Sequence, residues 1–547
     1  MEQPQTATDV PRGKNIPQPS KTANDNSEGH SSQEKADCYK IDSFKRYSMY
    51  EFKVLLVRTA IKHPINDDEF GVPMGLYVLK DYLMTTGHNL AIDVWDERLE
   101  LRKLESHEKK MTSKQNNSLY IAQLDKKQYD AVGISMCTSE VLPALEKFRI
   151  ARMKNPNIVT FCGGIFTATN EECLLKTKEV DFVIPGIGTK PLGDLLVQLC
   201  HQKSTKGVIN KEAIDIYGVA KKNSSFFPQT IWKCSQLPTM RLSMWKEIAT
   251  LYENDLKEKV GIYTFRGCDN ECLFCSVQRE SKQTIFRKKA ISIITEIEYL
   301  ITRGCKYFSF KDENFLNGSD TRLDILTAVQ DHKIEFKIRA RYDNVSSHIN
   351  SSNNSYLEKL KKLGVEEIQY GIETYDSCIR KSVEKNYHNA GENKEKFIEF
   401  IKRHADSGIT ANCSFILGLD GETTAYYDAL INFIKKITEQ NRKSKPPKIY
   451  INFLTPHPYN SRFIVADRYH YVTNNLNYFT HKFPVCYTGL RDVDRNTKML
   501  NTYAEIVNIT NSEKYNPLLG EEVKDLTEAF KSRKSEDLSG LNFEELI

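Results

Sequence analysis

Three cysteines set close together in mid-chain constrain this protein more than any other feature. Cys268, Cys272 and Cys275 stand in the spacing C-x3-C-x2-C, inside the stretch Arg266-Gly-Cys-Asp-Asn-Glu-Cys-Leu-Phe-Cys-Ser276. An apolar run from Val260 to Phe265 precedes them and reads as a buried strand. Gly267 and Asp269-Asn270 then turn that strand into a loop. Thiolates are natural ligands of iron–sulfur clusters, and close spacing lets one loop hold several irons. Three ligands for four irons leave one iron open, and an open coordination site usually marks chemistry rather than scaffolding. Three unrelated buried cysteines, or a zinc knuckle, are the alternatives. Zinc sites usually draw on two C-x2-C pairs or on cysteines with histidines, and neither lies nearby.

The remaining cysteines are isolated: Cys38, Cys137, Cys162, Cys173, Cys200, Cys234, Cys305, Cys378, Cys413 and Cys486. The odd total of 13 argues against a disulfide framework and for a reducing compartment, so a cytoplasmic protein is expected. No apolar run approaches the roughly 18–20 residues that span a bilayer. The N-terminus lacks the basic-then-apolar pattern of a secretory signal. A net charge of +5 over 547 residues, with lysines scattered among acids, gives no reason to expect nucleic acid as a partner. At about 100–200 residues per domain, that length implies two to four domains.

Residues 1–42 hold few large apolar side chains and read as a disordered tail. From 50 to 201, strands alternate with helices. Phe52–Val57, Leu90–Trp95, Tyr129–Ser135, Asn157–Cys162 and Val180–Pro185 read as strands. Met74–Thr86, Glu140–Lys154 and Pro191–His201 read as helices, the first with Leu76, Leu79, Tyr82 and Leu83 on one face and Gly87 as its stop. Residues 97–127 read as a Lys-rich excursion. The alternation implies an α/β, doubly wound, flavodoxin-like sheet, with ligands at the carboxyl ends of its strands. Those ends carry Arg58-Thr59, Ser135 to Thr138, Gly163-Gly164 and Gly186 to Gly188, where glycines let backbone approach a bulky ligand. Tight turns explain the same glycines. Residues 202–258 read as a linker with one or two short elements.

A second series runs from 259 to 460. Strands are expected at 260–265, 306–310, 334–340, 366–371, 411–417 and 448–454. Helices are expected at Ala290–Thr302, Tyr356–Leu363, Lys394–Ser407 and Thr423–Ile437, the first with a stripe of Ile291, Ile294, Ile297 and Ile301. Six such units make a partial (β/α)6, TIM-like barrel, with chemistry at the carboxyl ends. The cysteine loop follows strand one. Asp312 and Glu313 follow strand two, where adjacent acids suit an ammonium group or form an ordinary acidic loop. Arg339 and Arg341 follow strand three, as a carboxylate fork or as surface ion pairs. Glu373 follows strand four, and Gly418 and Glu422 follow strand five. His457 and Tyr459 end strand six. Residues 461–547 show no motif and form a C-terminal region that would cap the open side of the barrel.

The cysteine motif, with Phe274 before its last member, resembles the radical S-adenosylmethionine (SAM) superfamily. The first domain resembles the cobalamin-binding domain that precedes many radical SAM domains, through Pro73-Met-Gly-Leu-Tyr-Val-Leu, Gly133-Ile-Ser135, Gly163-Gly164 and Val180 to Gly186. The resemblance covers roughly residues 50–460. It implies a [4Fe-4S] cluster on Cys268, Cys272 and Cys275. It implies SAM contacts at Phe274, Asp312, Glu313, Arg341, Glu373 and Gly418, and cobalamin contacts at Thr59, Ser135, Thr138, Gly163, Gly164 and Gly186. No catalytic residue beyond the cluster ligands is assigned. Two departures stand out. Asp420 replaces the usual proline of the turn after strand five. The D-x-H-x-x-G motif that supplies a histidine to cobalt is absent, and His63, in the corresponding loop, lacks its spacing.

The implied function is a cobalamin-dependent methyltransferase that acts on an unactivated carbon through a 5′-deoxyadenosyl radical. It would take a small-molecule or peptide substrate and electrons from a flavodoxin or ferredoxin. A radical SAM enzyme of the same architecture catalysing cyclisation, rearrangement or oxidation is the first rival. A methylthiotransferase is another, but it needs grouped cysteines in the first domain, and Cys137, Cys162 and Cys173 lack the grouping. A non-enzymatic iron–sulfur module is the third.

Overall fold

The structure is a computed structural model. It describes residues 50–60, 71–105, 113–168, 170–222, 237–275, 277, 285–317, 321–349, 354–385, 387, 394–441, 445–455, 469–471, 486–488, 493–512 and 538–539. The N-terminal tail, His63, His457 and Tyr459 lie outside the described residues.

The first sheet has the order β2-β1-β3-β4-β5-β6. Its strands are β1 (Phe52–Arg58), β2 (Leu90–Asp96), β3 (Ala131–Ser135), β4 (Val159–Gly163), β5 (Phe182–Val183) and β6 (Ala220–Lys221). The first five run parallel, and β6 closes the edge antiparallel to β5. Helices cover both faces, so β1 is a nearly unbroken apolar run rather than an alternating one. Chain order reverses between β1 and β3, and a doubly wound sheet opens its ligand crevice at such a point. The excursion at 97–127 instead forms two helices, Glu97–Glu105 and Ser113–Lys126. Tyr120 and Leu124 of the second are buried, and the Tyr120 ring packs 5.2 Å from that of Trp95. Leu119 and Ile121 pack partly buried against the same core, so these four side chains dock the segment.

The second sheet is all parallel, in the order β14-β13-β12-β11-β10-β7. Its members are β7 (Val260–Ile262), β10 (Tyr307–Phe310), β11 (Glu335–Ala340), β12 (Val365–Glu373), β13 (Thr410–Leu417) and β14 (Lys448–Phe453). A short antiparallel pair, β8 (Phe265–Arg266) and β9 (Phe286–Arg287), brackets the cysteine loop. Among the described residues β7 and β14 do not pair with each other, so the six units make an open barrel. The helix Thr321–Val329, between β10 and β11, was not anticipated. The helix Ala290–Thr302 buries Ile293, Glu296, Ile297 and Leu300, whereas Ile291 is 66% exposed, so the expected stripe is rotated. Ile291 falls on the polar side of the helix, with Thr295, Glu298 and Thr302, while Ile293, Ile297 and Leu300 make the apolar arc.

The stretch read as a linker holds two helices, Leu242–Leu251 and Glu253–Glu258, which join the sheets. Arg241 donates its backbone N–H and Nε to the two oxygens of Asp81, each at 2.7 Å. Tyr252 Oη donates to Asp96 (3.0 Å), and its ring meets Tyr77 edge-on. Trp245 is fully buried in the same apolar core as Tyr77 and the barrel strands. In the C-terminal region, the helix Val493–Thr510 packs on β14, with Tyr503 5.0 Å from Phe453. A three-stranded antiparallel sheet also forms there, from β15 (Tyr469–Tyr471), β16 (Cys486–Thr488) and β17 (Leu538–Ser539).

Candidate active site

The cysteine loop is pinned at both ends. From the end of β10, Asp312 Oδ1 accepts from the backbone N–H of Thr264 (2.7 Å) and Phe265 (3.0 Å), and Oδ2 accepts from Thr264 Oγ1 (2.7 Å). Burial pushes the Asp312 carboxyl up to about 6, against the pull of these three donors. Glu313 accepts from the Gly267 N–H at 3.2 Å and pairs with Arg266 at 3.2 Å. Asn317 Nδ2 donates to both oxygens of Asp269 (2.9 and 3.0 Å). Further along, the Leu273 N–H donates to Val383 O, beyond β12 (3.0 Å).

Asp312 has no exposed surface, and both of its oxygens accept from the chain, so it anchors the loop. Glu313 is tied to the first residues of the same loop.

Cys272 is buried, and Cys268 and Cys275 are half-buried. Burial pushes Cys275 up to about 12 and Cys272 upward as well, and the charge of each of the three thiols reaches at least one other. Among the described residues, however, no three His, Cys, Asp or Glu side chains lie close enough to grip one metal ion. A single zinc needs every sulfur ~2.3 Å from a common centre. A polynuclear cluster takes one thiolate per iron and tolerates wider spacing. Three thiols on one loop, with no histidine between Arg266 and Arg287, make a donor set that fits an iron–sulfur cluster.

Around the loop stand the other expected residues. Arg341, after β11, is forked on Asp343 (3.0 and 3.2 Å) and points Nη1 at Cys272 Sγ, 3.9 Å away. Glu373 ends β12 at φ 64°, beside a register shift at Gly371, in a conformation uncommon for a residue with a Cβ. Its Oε1 accepts from Lys385 Nζ at 2.8 Å. Burial pulls the Lys385 ammonium down, but Glu373, Tyr387 and Cys272 together outweigh it and hold the group above its ordinary range. Lys385 Nζ also lies 5.5 Å from the centre of the Phe274 ring. Gly418, at φ 93°, donates its N–H to Glu422 Oε2 (2.7 Å), which also accepts from Tyr427 (2.6 Å). Burial pushes Glu422 up to about 7. Cys272, Phe274, Arg341 and Glu373 therefore gather on one side of the loop, joined by Lys385. Gly418, instead, is tied to its own turn. Lys385 carried no motif, and its buried pairing is visible only in three dimensions.

At the carboxyl ends of the first sheet lies a cavity of about 470 Å³. Ser135, Gly163, Gly164 and Gly186 line it, opposite Ile262, Tyr263 and Arg266 of the barrel. A second chamber of about 430 Å³ shares Met74, Gly75, Leu76, Ser135 and Tyr263 with it and adds Arg58, Lys259 and Lys311. No histidine is among the described residues that line either chamber. Thr59 and Thr138 were also expected to contact a cofactor. Both are fully buried and line neither chamber. Gly164, at φ 95°, faces Met136 backbone atoms that an added Cβ would meet at 2.7 Å. The apolar wall and the exposed backbone at these glycines fit a large, flat cofactor.

Residues 262–434 match the family model of the Radical SAM superfamily. An uncharacterized methyltransferase of Pyrococcus horikoshii is 24% identical over 310 residues, 56% of this chain and 64% of the relative's length. The ribosomal protein uS12 methylthiotransferase RimO of Thermosipho africanus is 25% identical over 192 residues, 34% of this chain and 43% of the relative. The chain thus spans less than two thirds of either curated relative. Among solved structures, the radical SAM methyltransferase TsrM of Kitasatospora setae, with cobalamin and a [4Fe-4S] cluster bound, superposes with a TM-score of 0.58 at 13% identity, over 87% of this chain and 90% of that one. Residues 262–434 are thus similar to the radical SAM superfamily, within a fold similar to that of this cobalamin-bound enzyme.

Proposed function

We propose that the protein is a cobalamin-dependent radical SAM enzyme that methylates an unactivated carbon of a small molecule or peptide. One observation carries this reading. Arg266 lines the cavity at the ends of the first sheet and, through Glu313, sets the start of the loop that bears the three cysteines. The two candidate cofactor sites therefore adjoin. When bound, the cluster supplies an electron for reductive cleavage of SAM, and cobalamin supplies the methyl group.

The chain's own residues do the rest. Cys268, Cys272 and Cys275 hold the iron, and Asp312 and Glu313 hold the loop. The apolar walls of the cavity keep water from the space between the sheets. Phe274, Glu373 and Gly418 remain our candidates beside SAM, with Arg341 and Glu313 at its polar end. Ser135, Gly163, Gly164 and Gly186 are the candidates beside the corrin. The electron comes from an external low-potential donor of the flavodoxin or ferredoxin class. Such chemistry suits a reducing, cytoplasmic compartment. Among the described residues no helix is long and apolar enough to cross a membrane.

The methylthiotransferase reading has a curated relative in its favour. Against it, Cys162 Sγ points to Phe182 O, and Cys137 Sγ sits 3.3 Å from Ser139 Oγ. Cys137, Cys162 and Cys173 also lack the close spacing on one loop that Cys268, Cys272 and Cys275 have.

Anaerobic reconstitution with iron, sulfide and hydroxocobalamin tests the proposal. Bound corrin in the visible spectrum, with 5′-deoxyadenosine and S-adenosylhomocysteine both formed from SAM, is the expected outcome. Deoxyadenosine without bound corrin and without S-adenosylhomocysteine points to the non-methylating rival. A loaded cluster that forms no deoxyadenosine leaves only an iron–sulfur binding module.

A further inference from the structure

The side of the loop at Cys272 is unusually charged for a buried place. Lys385 is 5% exposed and Arg341 is 9% exposed, yet both are cations, and Lys385 Nζ lies 5.5 Å from the ring of Phe274 in the cysteine loop. Arg341 Nη1 lies 3.9 Å from Cys272 Sγ, and the charge of Lys385 reaches the same sulfur. Buried cations are rare unless paired. Each here has one carboxylate, Asp343 for Arg341 and Glu373 for Lys385.

The local chain is shaped around the second pair. A Cβ on Gly371 would stand 2.5 Å from Glu373 Oε1 and 2.8 Å from Lys385 Nζ, so only glycine leaves the pair its seat. Glu373 itself holds a positive φ to reach it. The turn that delivers Lys385 also carries Val383, whose carbonyl accepts the Leu273 N–H between Cys272 and Cys275. Pair and loop therefore move together.

We infer that the Lys385–Glu373 pair, with the Arg341 N–H directed at the Cys272 sulfur, sets the reduction potential of the cluster this loop holds. The inference rests on the proposed cluster reading and adds two positioning residues outside the cysteine motif. The physics is general. Cluster potentials follow net local charge and hydrogen bonds to sulfur. Charges act strongly where water is excluded. The step concerned is the uptake of one electron from an external low-potential donor, with no proton or atom transferred. A cation beside the sulfur favours the more negative, reduced state, and a carboxylate opposes it. Lys385 and Arg341 raise the potential, and Glu373 trims that rise.

The test is a dithionite titration of the reconstituted full chain, followed by electron paramagnetic resonance without SAM or substrate, at matched iron and sulfide content. Lys385→Met should lower the midpoint by at least the equivalent of tenfold in the reduction equilibrium, about 59 mV for one electron. Lys385→Arg should stay near the parent, and Glu373→Gln should shift the opposite way. If Lys385→Met fails to hold iron, Glu373→Gln decides alone, by a positive shift or by none. Equal midpoints in parent and Lys385→Met, or shifts of the same sign in Lys385→Met and Glu373→Gln, overturn the inference. A parent chain that assembles no cluster overturns the underlying reading instead.

Discussion

At the scale of single residues, the site depends on side chains whose partners lie in the chain itself. Asp312 gathers three buried donors, two of them from the backbone just ahead of the cysteines. Asp312→Ala leaves all three without their acceptor, at about 1–3 kcal/mol for each buried unsatisfied group. We expect a lowered melting temperature and a loss of iron on reconstitution, with Asp312→Asn retaining more of both because an amide oxygen still accepts. Iron per chain, measured beside thermal unfolding, checks this. His404 is a second such residue. Its Nδ1 lies 2.8 Å from Phe400 O, so that nitrogen carries the proton, and Nε2 accepts from Tyr370 Oη (2.8 Å). Burial lowers the ring from 6.5 to about 4. The neutral ring's contribution is fully present above pH 6.5 and is lost as pH falls through 4. At full size that loss is about 3 kcal/mol, the order given by such a shift. Denaturant unfolding at pH 7 and pH 4.5 should show an acid-side loss that His404→Gln reduces. An equal loss in both proteins counts against the assignment.

At the scale of elements, what the sequence revealed depended on how local the signal was. The barrel strands end within a few residues of expectation, because their apolar residues recur in short runs or at every second position, as at Phe336, Ile338 and Ala340. The cysteine loop was legible because its ligands sit within one turn of chain. Residues 242–258 looked like a linker, although Met244, Trp245, Ile248 and Tyr252 recur at helical spacing, because the partners Tyr77 and Asp96 lie far back in the chain. The same limit explains Asp312. Its motif placed it at a strand end, but its donors at Thr264 and Phe265, 48 and 47 residues earlier, could not be read from spacing. Lys385 was invisible for the same reason. The turn after β4 yields a prediction at this scale. Gly164→Ala must hold a positive φ and push a methyl onto Met136 backbone, a strain of about 1–3 kcal/mol. It should weaken corrin retention on gel filtration while leaving iron content unchanged. Loss of iron as well would mean that the cavity wall and the cysteine loop are not separable.

At the scale of the whole molecule, the two sheets act as one support. Arg241 on Asp81, Tyr252 on Asp96 and Trp245 in the shared core hold the ends of the first sheet's strands against the barrel beside Arg266. That fixed geometry places a cavity suited to a large cofactor next to the cysteine loop, and from it comes the proposal that one catalyst uses both. The most direct test measures 5′-deoxyadenosine released from SAM under a low-potential reductant by the reconstituted chain and by Cys272→Ala, with iron and corrin content determined on the same samples. The account predicts deoxyadenosine from the parent, and from Cys272→Ala none above background with corrin content retained. Equal deoxyadenosine from both proteins, or none from a parent chain that carries its full iron, would contradict it.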